Sequence, residues 1–305
     1  MNTSYPDSIA EALRVRISVL DGACATILAK VTAASHLPLT DLLCLDHKKD
    51  VEALHTAYLD AGADIISTNT FNANALILEK HYHTKHPYRT AEDINCAAVA
   101  SARQCAQRAT ARDGRRRYIA GVVAPICPRP GDSAEEWSDA CQAQMAALAE
   151  NGADFLLAES CYDITGTRIA ARAAAHIATH YNINTIFSAT VDDNGTLPTG
   201  GTLNDLLNAL AVASPLAVGL NCCNGPQSFV RLLRNLKAIS PYPAIAYPGA
   251  GLPNAVGRYP ATPHDFGQMA RTIIAEDLAR IIGGCCGTTP AYIAAIAQAV
   301  HGCDK

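Results

Sequence analysis

Two segments of the chain place neighbouring cysteines where an apolar run ends. Cys285 and Cys286 stand in the segment IGGCCGTTP, and Cys222 and Cys223 end the segment PLAVGLNCC. A disulfide between consecutive residues is strained, because it closes a ring far from the preferred Cα separation. Thiolates suit a soft metal ion instead, and zinc is the usual metal of cytosolic thiolate sites. We therefore expect thiols from the two segments to share a zinc ion.

The glycines around the second pair explain how adjacent thiols could reach one ion. In an extended strand, successive side chains point to opposite faces, so Cys285 and Cys286 could not both turn toward the same point. Gly283, Gly284 and Gly287 flank the pair, and glycine adopts backbone dihedrals that are closed to other residues. We expect these glycines to let the backbone leave strand geometry there.

A thiolate zinc site of this kind predicts chemistry on a thiol. Three thiolates would leave one tetrahedral position open, which is the arrangement of a catalytic rather than a structural site. A substrate thiol there would lose its proton well below a free thiol's pKa of about 8.5, and the excess negative charge would keep its sulfur electron-rich. The site therefore favours alkyl transfer to sulfur over carbonyl hydrolysis, for which three neutral histidines polarise water more strongly.

The sequence that positions these cysteines alternates between short apolar runs and longer amphipathic stretches. The eight runs are RISVLDGA, ADIISTNTF, YIAGVVAP, DFLLAESC, TIFSATV, PLAVGLNCC, PAIAYPGAG and ARIIGGCCG. Between them, stretches such as DVEALHTAYLDAG and SFVRLLRNLKAI repeat apolar residues every three or four positions, as an amphipathic helix does. Gly62 and Gly152 are expected just beyond helix ends. This alternation predicts an α/β fold with a single (β/α)8 TIM barrel domain over residues 1–305.

An open doubly wound sheet is the alternative, but DGACAT after the first strand lacks its G-x-G-x-x-G turn. In a barrel the carboxyl ends of the strands meet at one mouth, where such enzymes place their active sites. Asp21 with Gly22, Asn69 with Thr70, and Glu159 close the first, second and fourth strands. We expect these residues to lie with the cysteines at the mouth.

Composition excludes several classes of protein. The 305 residues are 49% hydrophobic and only 6% aromatic, with a formal net charge of −4 and no block of five or six like charges, so nothing attracts nucleic acid. The sequence contains neither a signal-peptide pattern nor a run of 18 uncharged apolar residues, which predicts a soluble cytoplasmic protein without membrane contact. The twelve cysteines are then expected to be reduced. Packing or surface positions are expected for Cys44, Cys96, Cys105, Cys127, Cys141 and Cys303.

Four motifs together resemble one family over essentially the entire chain. GLNC at 219–222, GGCCG at 283–287, DG at 21–22 and AE at 158–159 are similar to the zinc-dependent homocysteine S-methyltransferases. The segments AGADIISTNTFNAN, GAGLPN and GGCCGTTP look most like the homocysteine-binding module of cobalamin-dependent methionine synthase. In the branch that uses S-methylmethionine, arginine typically follows the cysteine pair, whereas this chain has Gly287.

The resemblance assigns roles to individual residues. It implies that Cys222, Cys285 and Cys286 hold zinc and thereby activate the substrate thiol, whereas Cys223 is not implied. Glu159 would accept the ammonium group of homocysteine with help from Asp21. Backbone N–H groups of the turn at Gly22 and Ala23 would bind its carboxylate. The implied reaction converts L-homocysteine to L-methionine.

The first turn departs from the family pattern. The family usually reads D-G-(A/G)-x-G-T with a bulky apolar x, whereas this chain has Cys24 and Ala25. If the second glycine position needs a positive φ, Ala25 would be strained by about 1 kcal/mol or more. A spare thiol from Cys24 could then also lie near the metal.

The methyl donor is left open by the sequence. The chain contains no D-x-H-x-x-G cobalamin motif. A methylcorrinoid on a separate module or protein is the first expectation, and a small sulfonium such as S-methylmethionine is the alternative. Two further readings are a different thiol acceptor and a non-catalytic module that binds zinc or homocysteine.

Overall fold

A computed structural model describes residues 6–82, 90–126, 128, 131–223 and 225–302 of the chain. The eight strands found in these residues are β1 Ser18–Val19, β2 Ile65–Ser67, β3 Tyr118–Val123, β4 Phe155–Cys161, β5 Thr185–Ala189, β6 Ala217–Cys222, β7 Ile245–Pro248 and β8 Ile281–Ile282. The α-helices are α1 Ile9–Val15, α2 Ala25–Ala34, α3 Leu43–Asp46, α4 Lys48–Asp60, α5 Ala75–Tyr82, α6 Ala91–Asp113, α7 Ala134–Glu150, α8 Ile164–Tyr181, α9 Leu203–Leu210, α10 Pro226–Ile239, α11 Pro263–Ala275 and α12 Pro290–His301. Short 3₁₀ turns span Thr40–Leu42 and Ala211–Ala213.

The strands form one parallel sheet in the order β1-β8-β7-β6-β5-β4-β3-β2. The first and last strands of this order meet at an isolated bridge between Leu20 and Ile65, which nearly closes the sheet into a barrel. This order confirms the predicted (β/α)8 TIM barrel, and it excludes the open doubly wound sheet because β1 pairs with β8.

All eight predicted strands are present, but those that carry the DG and GGCCG motifs are short. Each of β1 and β8 has two residues in the sheet, because the chain turns away into the loops of the mouth directly afterwards.

The expected helix ends are also confirmed. Gly62 and Gly152 follow α4 and α7 with φ values of +104° and +94°, a conformation that L side chains rarely adopt.

The core has two layers, as the alternation of side chains along each strand requires. Residues that face the barrel axis, including Phe155, Tyr118 and Ile245, pack together with the apolar face of α1. Residues on the outward face, such as Leu156 and Phe187, pack against the surrounding helices. Among the described residues, no helix is both long and apolar enough to cross a membrane.

Candidate metal centre and substrate pocket

Three thiols converge at the carboxyl ends of β6 and β8. The Sγ atom of Cys286 lies 3.6 Å from that of Cys222 and 3.9 Å from that of Cys285. All three atoms lie within 4.8 Å of one another. A tetrahedral zinc ion with Zn–S bonds of about 2.3 Å needs sulfur atoms about 3.8 Å apart. The spacing and the donor type therefore both fit zinc.

The backbone brings the three sulfurs together by means that differ in part from the prediction. Gly287 does adopt a positive φ, +78°, but Gly283 and Gly284 do not. Those two glycines are needed for close approach instead, because a Cβ at Gly283 would lie 2.7 Å from the Leu20 Cβ, and one at Gly284 would lie 2.5 Å from the Thr288 Oγ1. The expectation of unusual dihedrals is therefore wrong for these two positions.

The end of β7 and the two residues that follow it join the two cysteine-bearing loops. Three backbone hydrogen bonds make this connection: Cys285 N–H to Pro248 O (2.8 Å), Gly249 N–H to Cys222 O (2.9 Å) and Ala250 N–H to Cys286 O (2.8 Å). All three cysteines that could bind metal are thus tied to one backbone segment, which fixes the distance between β6 and β8 at the mouth.

Cys223 takes no part in the cluster. It adopts a positive φ of +53°, as Cys222 does at +54°, and its thiol donates to the Asn221 carbonyl at 3.2 Å. The side chain packs against the outer core. The structure therefore separates the two members of this cysteine pair.

The three thiols have very different proton affinities. Hydrogen bonds from Cys222 and Cys285 lower the pKa of Cys286 to about 3. The same contacts, first with Cys222 and then with Cys286, raise the pKa of Cys285 well above its ordinary value. For Cys222, the contact with Cys285 lowers the pKa, but Cys286 and burial raise it more, so the net shift is upward. Because a metal binds cysteine as the thiolate, binding one ion to all three sulfurs must release protons.

A bulge in β4 turns two successive side chains toward the pocket. The register with β5 shifts between Ala158 and Cys161, and Ser160 adopts a positive φ of +66°. Glu159 and Ser160 consequently both line the cavity, whereas Cys161 faces the outer core. Neither the bulge nor Ser160 was anticipated from the sequence, because a run such as DFLLAESC shows no glycine or proline where the register changes.

Glu159 lies beside the thiol cluster. Its Oε1 atom is 4.0 Å from the Cys285 Sγ. Burial raises the pKa of Glu159 to about 8, and the negative charges of Cys286 and Asp21 add to the shift. A cationic group that enters the pocket would offset this cost and bring the carboxyl group into its charged form.

The Asp21 side chain links the end of β1 to the end of β2 by hydrogen bonds. Its two carboxylate oxygens accept hydrogen bonds from the Ser67 N–H and the Ser67 hydroxyl, both at 2.8 Å. Burial raises the pKa of Asp21 to about 7, and the hydrogen bonds from Ser67 oppose that shift. The carboxyl group lines the pocket and also holds the barrel closed at its mouth.

The turn at Gly22 and Ala23 packs tightly against α4 and the loop that precedes α12. A Cβ at Gly22 would lie 2.8 Å from both the Thr288 Oγ1 and the Tyr58 hydroxyl. The Ala23 N–H donates to the Thr288 Oγ1 at 3.1 Å. This donor is therefore engaged within the chain, and its predicted role toward a substrate carboxylate requires that bond to be shared or released.

The first turn shows no strain at Ala25. This residue begins helix α2 and is not among the described residues with positive φ, so the strain considered for it is wrong. Cys24 precedes the helix and lines the pocket, where burial and the neighbouring Cys44 thiol raise its pKa.

Among the other cysteines, Cys44, Cys105 and Cys141 are buried and Cys96 is exposed, as expected. Cys127 and Cys303 lie outside the described residues.

A cavity of about 230 Å³ connects these groups. Asp21, Glu159 and the three cysteines line it together with polar residues after β2, including Asn69 and Thr70. Ser67, Phe71, Asn72 and Tyr247 also line it, although the sequence analysis did not select them. Among the described residues that line the cavity, none is lysine, arginine or histidine. The pocket therefore combines acidic groups and thiols with hydroxyl and amide groups.

The fold and the site define a (β/α)8-barrel enzyme with three thiols at the mouth of the barrel that could hold a metal ion. The sequence profile of the homocysteine S-methyltransferase family matches residues 18–300, and the chain belongs to that family.

Solved structures of Escherichia coli homocysteine methyltransferase MmuM share the fold. Its metallated form is 23% identical with a TM-score of 0.72, and the alignment covers 95% of this chain and 98% of that one. The apo form is 24% identical with a TM-score of 0.69, covering 96% and 98%. An oxidised form is also 24% identical, with a TM-score of 0.71 and coverage of 92% and 94%.

Proposed function

We propose that this chain transfers a methyl group to the thiol of L-homocysteine and thereby forms L-methionine, with zinc held by Cys222, Cys285 and Cys286. The observation that carries the proposal is the spacing of the three sulfur atoms, 3.6 and 3.9 Å, at the mouth of the barrel. The existence of a metallated form of MmuM supports a metal in this family. When bound, zinc would supply a Lewis acid that favours the thiolate form of the substrate.

The acidic side of the pocket is suited to the amino acid part of the substrate. Glu159 would accept the substrate ammonium, because a cation offsets the burial that raises the pKa of this carboxyl group. Asp21 would assist from its position against Ser67. The backbone of Gly22 and Ala23 would bind the substrate carboxylate. The substrate sulfur would form a bond to the methyl carbon while the bond from that carbon to the donor breaks, and the donor would leave with the electron pair.

Two alternative methyl donors are each supported by a different observation. Gly287, in the GGCCG motif, favours a methylcorrinoid carried by a separate module or protein. A Cβ at this position would lie 2.4 Å from Cδ1 of Tyr259, so this chain has no room for the arginine of the S-methylmethionine branch. The lack of cationic side chains among the described lining residues favours instead a small sulfonium, whose positive charge an acidic pocket would attract.

The zinc assignment is tested by substituting each cysteine separately. We expect Cys285→Ala, Cys222→Ala and Cys286→Ala each to weaken zinc binding by more than the roughly 100-fold that loss of a hydrogen bond to a metal ligand can cause, and to abolish turnover. Zinc content after dialysis against a chelator and methionine formation measure the two effects.

Cys223→Ser is the matched control, since this thiol follows Cys222 directly but bonds to a backbone carbonyl. It should retain zinc. Turnover by the Cys285→Ala protein would exclude the mechanism.

The donor is tested with reduced, zinc-loaded protein and homocysteine, supplied with methylcobalamin or with S-methylmethionine. Methionine formed only with methylcobalamin would support the corrinoid donor, and methionine formed with the sulfonium would support the alternative. Unchanged turnover in Glu159→Ala would indicate a different thiol acceptor. Tight homocysteine binding without turnover from either donor would indicate a non-catalytic binding module.

We further propose that residues 1–305 act as one domain in a reducing compartment, the cytoplasm. The ten cysteines among the described residues are all free thiols, and three of them must remain reduced to bind metal.

A further inference from the structure

A group of buried polar side chains lies next to the metal centre. Asn221 precedes Cys222 in β6 and is completely buried, with 0% exposure. Its Oδ1 accepts a hydrogen bond from the Ser188 hydroxyl at 2.9 Å. Its Nδ2 donates to the Ser160 Oγ at 2.6 Å and to the Cys285 Sγ at 3.8 Å. Every hydrogen of the amide therefore has a partner, and one partner is a sulfur of the thiol cluster.

The surrounding hydroxyl groups account for the orientation of this amide. The Ser188 Oγ also accepts from the Ser160 N–H at 3.3 Å and contacts the Tyr247 hydroxyl. A serine hydroxyl has one hydrogen and two acceptor lone pairs. If Tyr247 and the Ser160 N–H donate to it, its own hydrogen is left for the amide oxygen of Asn221.

The sulfur requires the same orientation. A cysteine that binds a metal does so as a thiolate, which accepts hydrogen bonds but cannot donate one. The amide oxygen of Asn221 would be repelled by that sulfur, whereas the NH₂ group is attracted to it. The hydroxyl groups and the sulfur thus both direct Nδ2 toward Cys285.

We propose that Asn221 is a positioning residue of the metal centre, whose amide N–H group bonds to the Cys285 sulfur and so fixes that sulfur relative to the bulge that carries Glu159. The second N–H of the same amide holds Ser160, which follows Glu159 directly. One side chain therefore links the metal side of the pocket to its acidic side. This inference rests on the proposed function, because it assumes that a metal binds the three sulfurs.

The hydrogen bond has two expected consequences for a bound metal. It restrains the Cys285 sulfur, so its loss should weaken metal binding, as loss of hydrogen bonds to metal ligands does in other proteins. It also draws electron density from the sulfur, so its loss should make the sulfur a stronger electron donor to the metal. If Asn221 only filled space, its substitution would weaken metal binding without changing electron donation by the sulfur. Even that effect would appear only when the new side chain has a different volume.

The test compares Asn221→Asp, which keeps the shape but replaces the N–H donors by a carboxylate oxygen, with Asn221→Ala, which removes the side chain. We expect both variants to bind Zn²⁺ about 10- to 100-fold more weakly in a chelator competition assay, with Asp at least as damaging as Ala. In protein loaded with Co²⁺, the sulfur-to-metal charge-transfer band should move to longer wavelength in both variants.

Asn95→Asp is the matched control. Asn95 is also completely buried. Its Nδ2 donates to the carbonyl oxygen of Ala91, in α6, and to that of Ala73, which precedes α5. It should reproduce the effect of a buried Asn→Asp change on thermal stability without altering Zn²⁺ affinity or the Co²⁺ spectrum.

Wild-type Zn²⁺ affinity and an unmoved Co²⁺ band in Asn221→Asp would overturn the inference while leaving the proposed function intact. If Asn221→Asp does not fold, Asn221→Ala and Ser188→Ala decide the matter, and wild-type metal affinity in both would overturn it. A wild-type protein that fails to bind Zn²⁺ would instead overturn the proposed function.

Discussion

At the residue scale, the mouth of the barrel contains carboxyl groups that burial holds toward their neutral form. Asp41 is 1% exposed, and its Oδ1 accepts a hydrogen bond from the Asn72 N–H at 2.7 Å, beside the pocket. Burial raises the pKa of Asp41 to about 6, while this hydrogen bond opposes the shift. The carboxyl group orders the loop that contains Asn72, but ionising it destabilises the folded chain.

This shift predicts a pH-dependent stability difference between wild type and Asp41→Asn. The pKa is higher in the folded chain than the ordinary 3.8. The carboxyl group of Asp41 therefore binds a proton more tightly in the folded chain than in the unfolded chain. Its contribution to the stability of the folded chain is complete below about pH 4 and is lost as the pH rises through about 6. The asparagine oxygen keeps the hydrogen bond from Asn72 without ionising. We expect the variant to be more stable by about 3 kcal/mol at pH 7 and equal to wild type near pH 4, measured by urea unfolding. A difference that does not vary with pH would contradict the shift.

At the element scale, the loop between β7 and α11 organises the candidate metal centre. Its first residues bond to the backbone of both cysteine-bearing loops. Further along, Tyr259 packs against Gly287, directly after Cys286. The positions of the thiols therefore depend on a loop that contributes none of them.

This packing predicts that Gly287→Ala is more damaging than an alanine at an unobstructed glycine. At Gly287, with φ +78°, the new Cβ would lie 2.4 Å from the Tyr259 ring, whereas at Gly114, with φ +74°, it would meet nothing within 4 Å. We expect Gly114→Ala to cost about 1 kcal/mol from backbone conformation alone, and Gly287→Ala to cost at least about 2 kcal/mol. Thermal unfolding measures both, and Gly287→Ala should also weaken zinc binding. Equal effects at the two glycines would show that Tyr259 yields without cost.

At the scale of the whole molecule, two aspartates hold the barrel closed where β1 meets β2. Asp21 does so at the mouth through Ser67. At the opposite end, Asp64 is completely buried, and its Oδ2 accepts a hydrogen bond from the Val19 N–H at 3.0 Å. The other oxygen lies 2.6 Å from the Arg115 guanidinium. The short pairing of β1 is thereby supplemented by side chains on both sides of the junction.

We expect Asp64→Asn to destabilise the barrel by about 3 to 5 kcal/mol, because it removes the buried negative charge that faces Arg115. Glu276→Gln is the control, since the Glu276–Arg234 pair is 38% and 51% exposed and should contribute no more than about 1 kcal/mol. Urea unfolding gives both values, and zinc binding by folded Asp64→Asn protein should be normal because the metal site lies at the other end. A loss no larger than that of the control would show that Asp64 does not hold the junction.

Local sequence patterns were enough to predict the succession of strands and helices and the placement of reactive residues at strand ends. These properties depend on residues close together in the chain: apolar periodicity, the glycines after α4 and α7, and the motifs that end the runs. The two cysteine pairs were recognisable for the same reason, since adjacent cysteines at the end of an apolar run stand out within a few residues. The family resemblance then singled out Cys222 over Cys223.

Which of these groups come into contact could not be predicted from local sequence, because it depends on how the strands pair in the barrel. The distance from Cys222 to Cys286 depends on the registers of β6, β7 and β8, and the bulge that turns Ser160 inward depends on the pairing of β4 with β5. Asn221 looks like an ordinary strand-end amide in the sequence, and its contacts come from residues 33 and 61 positions earlier and 64 positions later in the chain. Contacts at such separations are fixed by barrel closure and strand register, which local sequence patterns do not encode.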